Sequence, residues 1–416
     1  MPGAIKSPVT WICFLSISLL IGCTDQVAGD FPEAGDGGWA WQPCIGLEKG
    51  DGQAILHISN PLPSINYTGS PPQDPDYFNI WVSQVPDEQF ELYQKVGIGT
   101  TRVVMDGLQN GRPLYVFITS HKGSNIDSTG VIMTIPSETQ MEVFSADMDS
   151  PVEHFAASVD LSFVSFIRTS HLYVKGLNDA SPILAERTGI MPSWSPSLNQ
   201  IVYITTKDEG NFRYPHSIKL YDAPHGKITT VLDIDYHDYY IQTPTFTPDG
   251  SAIAFLSSEE NSEKTFYDVW IWNLLKSEKK RLTDFSKLDL ILDRGYCWGK
   301  SEDELYVSGS YGINAVANIY KVDIASGAIS PIIVSSWNDS SPSLSPDKST
   351  LAFISDRTGR DELWVFNLDD SSLSQLTGSR YTFDSRYSSL NWLGNDHLLL
   401  TVYNGQSWVP ITVKVN

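Results

Sequence analysis

The chain is 416 residues long, 41% apolar and 12% aromatic, with a formal charge of −21. Its length suits two or three domains, and its apolar share is enough to build packed cores. So acidic a surface repels nucleic acid and anionic lipid headgroups, which excludes both as partners.

At the start, Lys6 precedes an apolar run over 9–20 that closes on Leu20-Ile21-Gly22-Cys23. A weak positive region, a short apolar core and a small residue at the cut describe an export signal; a membrane span needs roughly 18 or more apolar residues. The Cys directly after Leu-Ile-Gly resembles the lipobox of bacterial lipoproteins. That resemblance implies a signal peptide over 1–22 and a diacylglycerol thioether on Cys23 with an acylated amino terminus. Such an anchor gains about 0.8 kcal/mol per buried CH₂. Thr24 stands where some Gram-negative lipoproteins carry the Asp that retains them at the inner membrane. The resemblance therefore favours an exported protein anchored in the outer membrane, facing the periplasm or the cell surface.

Residues 23–43 are polar, acidic and Gly-rich, and read as a flexible tether. Of the four cysteines, Cys13 leaves with the signal and Cys23 carries lipid. Cys44 and Cys297 read as two unpaired thiols, the alternative being an inter-domain disulfide between them in an oxidising envelope. With no CxxC pair and no Cys/His cluster at zinc spacing, no metal and no cofactor is expected.

Residues 44–137 alternate short apolar runs with turn punctuation. Runs over 54–58, 77–82, 91–98, 101–105, 114–119 and 131–135 belong to a pattern of about seven strands, which predicts a β-sandwich. The stretch Gly107-Leu108-Gln109-Asn110-Gly111-Arg112-Pro113-Leu114-Tyr115 resembles the turn before the sixth strand of fibronectin type III modules. A polar turn over 123–128 is expected before the last strand. Modules of this family act as spacers or adhesive platforms.

From 138 to 416 the period lengthens. Pro192, Pro244 and Pro342 each stand nine residues before an apolar strand, and His154, Tyr296 and Leu390 complete a series spaced 38 to 52 residues apart. That is the span of one four-stranded propeller blade, and six fit in the remaining length. Thr247-Pro248-Asp249-Gly250 supplies the turn, with Pro at a φ near −65° and Gly where the chain needs positive φ. This repeat, with Ser355-Asp356-Arg357-Thr358-Gly359 and the closing Leu376-Thr377, resembles the TolB-type (WD40-like, PD40) propeller. TolB carries an α/β domain before its propeller and no lipid anchor, so a role in the Tol system is not implied. The last unit holds three strands, and 141–144 is expected to supply the fourth and close the ring, because an open edge invites aggregation. The fold is thus expected to be all-β: a six-bladed β-propeller with an N-terminal, fibronectin type III-like sandwich.

No catalytic signature is present: no G-x-S-x-G, H-E-x-x-H, P-loop or G-x-G-x-x-G after a strand. The eight His are scattered, and the acidic run 233–238 lacks the Gly and terminal Glu of a calcium loop. What remains is one rim, where loops entering each inner strand meet loops leaving the second strand. Entry loops 235–240, 285–296, 337–341 and 380–387 hold Tyr236, His237, Tyr239, Tyr240, Arg294, Trp337, Arg380, Arg386 and Tyr387. Tyr, Trp and Arg dominate binding hot spots, and loops on a rigid scaffold carry function. The long exit loop 206–215 adjoins them.

The expected function is that of a non-enzymatic cell-envelope lipoprotein presenting its propeller to an envelope protein partner. The alternative is a glycan-binding or polysaccharide-processing propeller. A lyase would need several metal-binding His on the rim, where the sequence places His237 alone.

Overall fold

Alternation of apolar and polar residues governs the first part of the chain. In Gln53–Ser59, Ala54, Leu56 and Ile58 turn inward, and in Tyr77–Ser83 Phe78 and Ile80 do the same. The computed structural model describes residues 43–59, 74–86, 89–138, 141–143, 151–209, 212–233, 240–259, 266–312, 315–378, 382–384 and 389–415.

Two sheets face each other across that apolar filling. One has the order β1 (Cys44–Gly50), β2 (Gln53–Ser59), β5 (Arg102–Asp106); the other runs β4 (Glu91–Val96), β3 (Tyr77–Ser83), β6 (Leu114–Lys122), β7 (Asn125–Ser128). A further strand, β8 (Ile132–Thr134), also pairs with β6. The polar segment expected as a turn over 123–128 is thus mostly strand. β7 and β8 are two halves of one edge, interrupted where the Thr129 hydroxyl accepts from Ile118 N. Leu47, Leu56, Phe78, Met105 and Ile118 fill the space between the sheets.

The remainder folds into six four-stranded antiparallel sheets arranged as the blades of a propeller. Blades 1 to 5 span 153–186, 189–233, 241–281, 290–333 and 339–375. Blade 6 takes three strands from 391–414 and its fourth from β9 (Met141–Val143), where Val143 pairs with Ile411 and Met141 with Val413. The chain therefore closes its ring with a strand that precedes the first blade. Apolar clusters seal every seam. Leu172 and Tyr203 join blades 1 and 2, Ile204 and Phe255 blades 2 and 3, Leu256 and Val307 blades 3 and 4. Tyr306 and Phe353 join blades 4 and 5, Ile354 and Leu400 blades 5 and 6, and Leu399 and Phe166 return to blade 1.

The recurrent Pro has a local cause. The inner strands of blades 1 to 5 break register once, beside a positive φ at His154, Met191, Thr243, Gly295 and Ser341. A bulge leaves one residue without a ladder partner, so a residue lacking an N–H costs little there. Pro192, Pro244 and Pro342 occupy the next position. In blade 1 that position is Phe155, one residue after the His154 expected from spacing.

The polar turns repeat as well. Thr247 Oγ1 donates to Asp249 Oδ1 at 2.6 Å, which accepts from Ser251 N at 3.0 Å; Ser345, Asp347 and Ser349 do the same at 2.6 and 3.1 Å. Blade 1 builds this turn without Pro, from Ser158 and Asp160. The closing Leu-Thr is a staple. Thr377 Oγ1 accepts from Leu363 N at 2.9 Å and donates to Glu362 Oε2 at 2.6 Å; Thr283 repeats this with Val269 N at 2.9 Å and Asp268 Oδ1 at 3.2 Å.

Deleting 141–144 strips blade 6 of its fourth strand and exposes the edge of Trp408–Lys414. The melting temperature should fall by about 5–10 °C. An unchanged melting curve would mean that other contacts close the ring.

Candidate functional site

Chain direction in a blade puts the connections from fourth to first strand, and from second to third, on one rim. Tyr240 enters blade 3 and Trp337 enters blade 5 on that rim. The sandwich sits there too, gripping the connection between the second and third strands of blade 5.

Two unpaired sheet edges make the grip. Leu47 N on β1 donates to Thr358 O at 2.7 Å, and Met133 N on β8 donates to Arg357 O at 2.5 Å. The approach is so close that a Cβ on Gly359, at φ 89°, would lie 2.2 Å from Ile45 O. Beside it, Lys49 Nζ donates to Gln375 O at 2.7 Å and Ser137 Oγ at 2.9 Å. The Gln375 side-chain oxygen accepts from Thr134 Oγ1 at 2.8 Å and Ile135 N at 3.1 Å. Tyr115, Met133 and Ile135 pack into the cluster that holds Leu351, Phe353 and Trp364.

The gripped loop is fixed from inside its own blade. Arg357 is 3% exposed; its Nη2 meets Asp339 Oδ1 at 2.5 Å, and its Nε donates to Ser355 Oγ at 2.9 Å. Its guanidinium lies 5.0 Å from the Trp364 ring, 5.4 Å from Phe353 and 5.6 Å from Trp337. Asp356 accepts from both the backbone and side-chain nitrogens of Asn338 at 2.8 Å. With both flanks tied down, the Arg357 and Thr358 carbonyls have one direction to point.

Two ionisable groups are buried at the same junction. Burial pushes the Glu362 carboxyl up to about 7, while Arg360, 3.2 Å away, and the Thr377 hydroxyl pull it down. Burial pushes the Lys49 ammonium down to about 8, against the attraction of Glu362. Glu362 thus stabilises the fold fully below its ordinary range, and that contribution is lost as pH rises through about 7. Lys49 has the opposite sign: its contribution belongs to alkaline pH and is lost as pH falls through about 8.

Only part of the expected rim can be placed. Tyr240 is half-buried, its N donating to Ser258 Oγ at 2.9 Å and its O accepting from Ser258 N at 3.0 Å. Trp337 is spent on the junction, its Nε1 donating to Val131 O at 3.0 Å. Arg294 does not sit in an entry loop. It lies within the inner strand Leu290–Trp298, between the register-shifted Leu292 and Tyr296, because that loop is shortened by a 3₁₀ turn at Phe285–Leu288. Tyr236, His237, Tyr239, Arg380, Arg386 and Tyr387, and the lipidation candidate Cys23, lie outside the described residues.

The exit loop expected over 206–215 is a ribbon. Strands Gln200–Glu209 and Phe212–Asp222 run past the body of blade 2 and stay paired to Glu209 and Phe212. Blades 2 and 5 are three apart in a ring of six, so ribbon and sandwich stand at diametrically opposite points of one rim.

Among the described residues, no group of three or more His, Cys, Asp or Glu is arranged to hold a metal, and no helix is long and apolar enough to cross a membrane. Cys44 is disulfide-bonded and Cys297 is a free thiol, so the expected pair of unpaired cysteines is corrected for Cys44. Cys297 is inert as a nucleophile, its thiol pushed up to about 12 by burial.

No protein-family model matches the chain. Among solved structures it is similar to TolB from Acinetobacter baumannii, at 13% identity over 74% of this chain and 77% of that one, with a TM-score of 0.42. An oligogalacturonate lyase from Vibrio parahaemolyticus is similar at 11% identity, over 73% and 86%, with a TM-score of 0.46. An oligogalacturonate lyase in complex with manganese is similar at 11%, over 91% and 98%, with a TM-score of 0.48. Likeness at this level says nothing of activity.

Gly359→Ala should loosen the sandwich from blade 5, read as new protease cuts in the junction and a melting temperature lower by several degrees; an intact digest pattern would contradict the close approach. Between pH 5 and 7 the wild-type melting temperature should fall as Glu362 ionises, and Glu362→Gln should flatten that fall. Parallel wild-type and variant profiles would mean Glu362 does not titrate there.

Proposed function

We propose that the protein is a non-enzymatic envelope lipoprotein, held to the membrane through Cys23, whose propeller rim seats a protein partner. The observation that carries this reading is the pairing of projections on one rim. The blade 2 ribbon and the docked sandwich stand at opposite sides of the ring, and Tyr240 lies on the rim between them. Rigid projections on one rim favour a shaped partner, since little ordering entropy is lost on binding. Trp337 is no longer part of the binding set, because its indole is already used at the junction.

The sandwich reads as fibronectin type III-like on its strand order, β1-β2-β5 against β4-β3-β6-β7. In this reading it is a spacer that also sets the angle of the propeller. Anchoring rests on the Leu20-Ile21-Gly22-Cys23 sequence, outside the described residues. Intact-mass mapping of the mature amino terminus checks it: a diacylated, N-acylated Cys23 supports the anchor, and a Cys23 recovered in a disulfide with Cys44 removes it.

The rim is tested by comparing wild type with a variant that carries Tyr240→Ala and has 207–214 replaced by Asn-Gly. Pull-downs from envelope extracts should lose specific prey in the variant while its melting temperature stays within about 2 °C. Identical prey from both would remove the rim. Binding of the wild type to a carbohydrate array, abolished in the variant, would turn the reading to a glycan ligand.

A further inference from the structure

A small cleft opens where the sandwich meets blade 5, lined by Cys44, Gly46, His57, Ser59, Gly359 and Arg360. Its enclosed space holds about one water-sized group. The close approach of Gly359 to Ile45 O makes one wall.

The cleft carries a positive charge that its neighbours do not fully answer. Arg360 is always ionised and offers five N–H donors. Its Nε faces Glu362 Oε1 at 3.2 Å, yet neither atom has a hydrogen-bond partner, and its buried Nη2 has none either. Glu362 is a weak counter-ion. It is fully buried, which favours its neutral form, and its other oxygen is taken by the Thr377 hydroxyl. Glu48 is turned to His57, with His57 Nε2 and Glu48 Oε2 2.9 Å apart. Arg360, half-buried and with two unpartnered guanidinium nitrogens, lines a space of one small group, an arrangement suited to an anion.

We propose that this cleft binds a small monoanion, a halide or the tip of a carboxylate, at Arg360 beside Ser59 and His57. Arg360 belongs to the propeller and Ser59 and His57 to the sandwich, so the anion would bridge the two. By linkage, whatever binds only the docked form strengthens docking. The site is independent of the partner-binding rim and stands whether or not that reading holds.

The test uses the full mature chain at constant ionic strength, with sodium isethionate, too bulky for the cleft, exchanged for sodium bromide or sodium formate. Either small anion should raise the melting temperature saturably, by about 2–4 °C once well above its dissociation constant. Arg360→Met should abolish the rise. Should that variant fail to fold, broadening of the ⁸¹Br resonance by wild type, reversed by formate and absent in Ser59→Val, reads the same site. A melting temperature indifferent to the anion, with no formate-reversible broadening, would mean that the cleft holds only water. A response to bromide alone would limit the ligand to halides.

Discussion

Two backbone donors from adjacent edges of the two sheets of the sandwich, Leu47 N and Met133 N, reach consecutive carbonyls of one propeller loop. Exposed sheet edges are a hazard that folded proteins cover, pair or charge. Here β1 and β8 are covered by the same few residues, 357–359, so one contact hides two edges and joins two architectures. The loop can serve both because Arg357, bound to Asp339 and stacked among three aromatic rings, holds its backbone from the blade side. Loss of that internal brace would release the edges as well as the blade.

The polar chemistry of the junction is costly and therefore selective. A buried Lys49 and a buried Glu362 each give up water, and their attraction does not restore the ordinary protonation range of either. Such groups gain most when each partner is fixed in place, as Gln375 is: its backbone oxygen accepts from Lys49 at 2.7 Å and its side-chain oxygen from Thr134 and Ile135 at 2.8 and 3.1 Å. An apolar contact would tolerate sliding, whereas this network favours one orientation. The angle between sandwich and propeller is then a built property.

The ring was legible because its signals are local. Pro192, Pro244 and Pro342 mark bulges, Asp249 and Asp347 mark hydroxyl-capped turns, and the shortage of strands in the last unit pointed to 141–144. In blade 1 the spacing points one residue early, to His154, because Phe155 fills the slot that blades 2, 3 and 5 mark with Pro. β1 carries no strand signal: Cys-Ile-Gly-Leu-Glu-Lys-Gly has two glycines and a lysine where a strand would alternate. Those residues answer to blade 5, with Gly46 and Lys49 both at the junction, and that demand lies more than 300 residues away. The rim was the least legible part. Trp337 and Arg357 have hot-spot composition, but whether an aromatic faces a partner or the protein's own second domain depends on docking, which no local pattern encodes. The ribbon of blade 2 reads as a loop in the sequence because its tip is charged and its pairing continues the second and third strands of the blade.

A single fixed orientation of sandwich and propeller is the claim on which the rest stands. It is tested most directly by pulsed electron–electron distance measurement between spin labels at Asn125→Cys on β7 and Lys227→Cys on blade 2, both exposed positions. One narrow distance peak is expected. A broad or bimodal distribution would show the two bodies moving independently and contradict it.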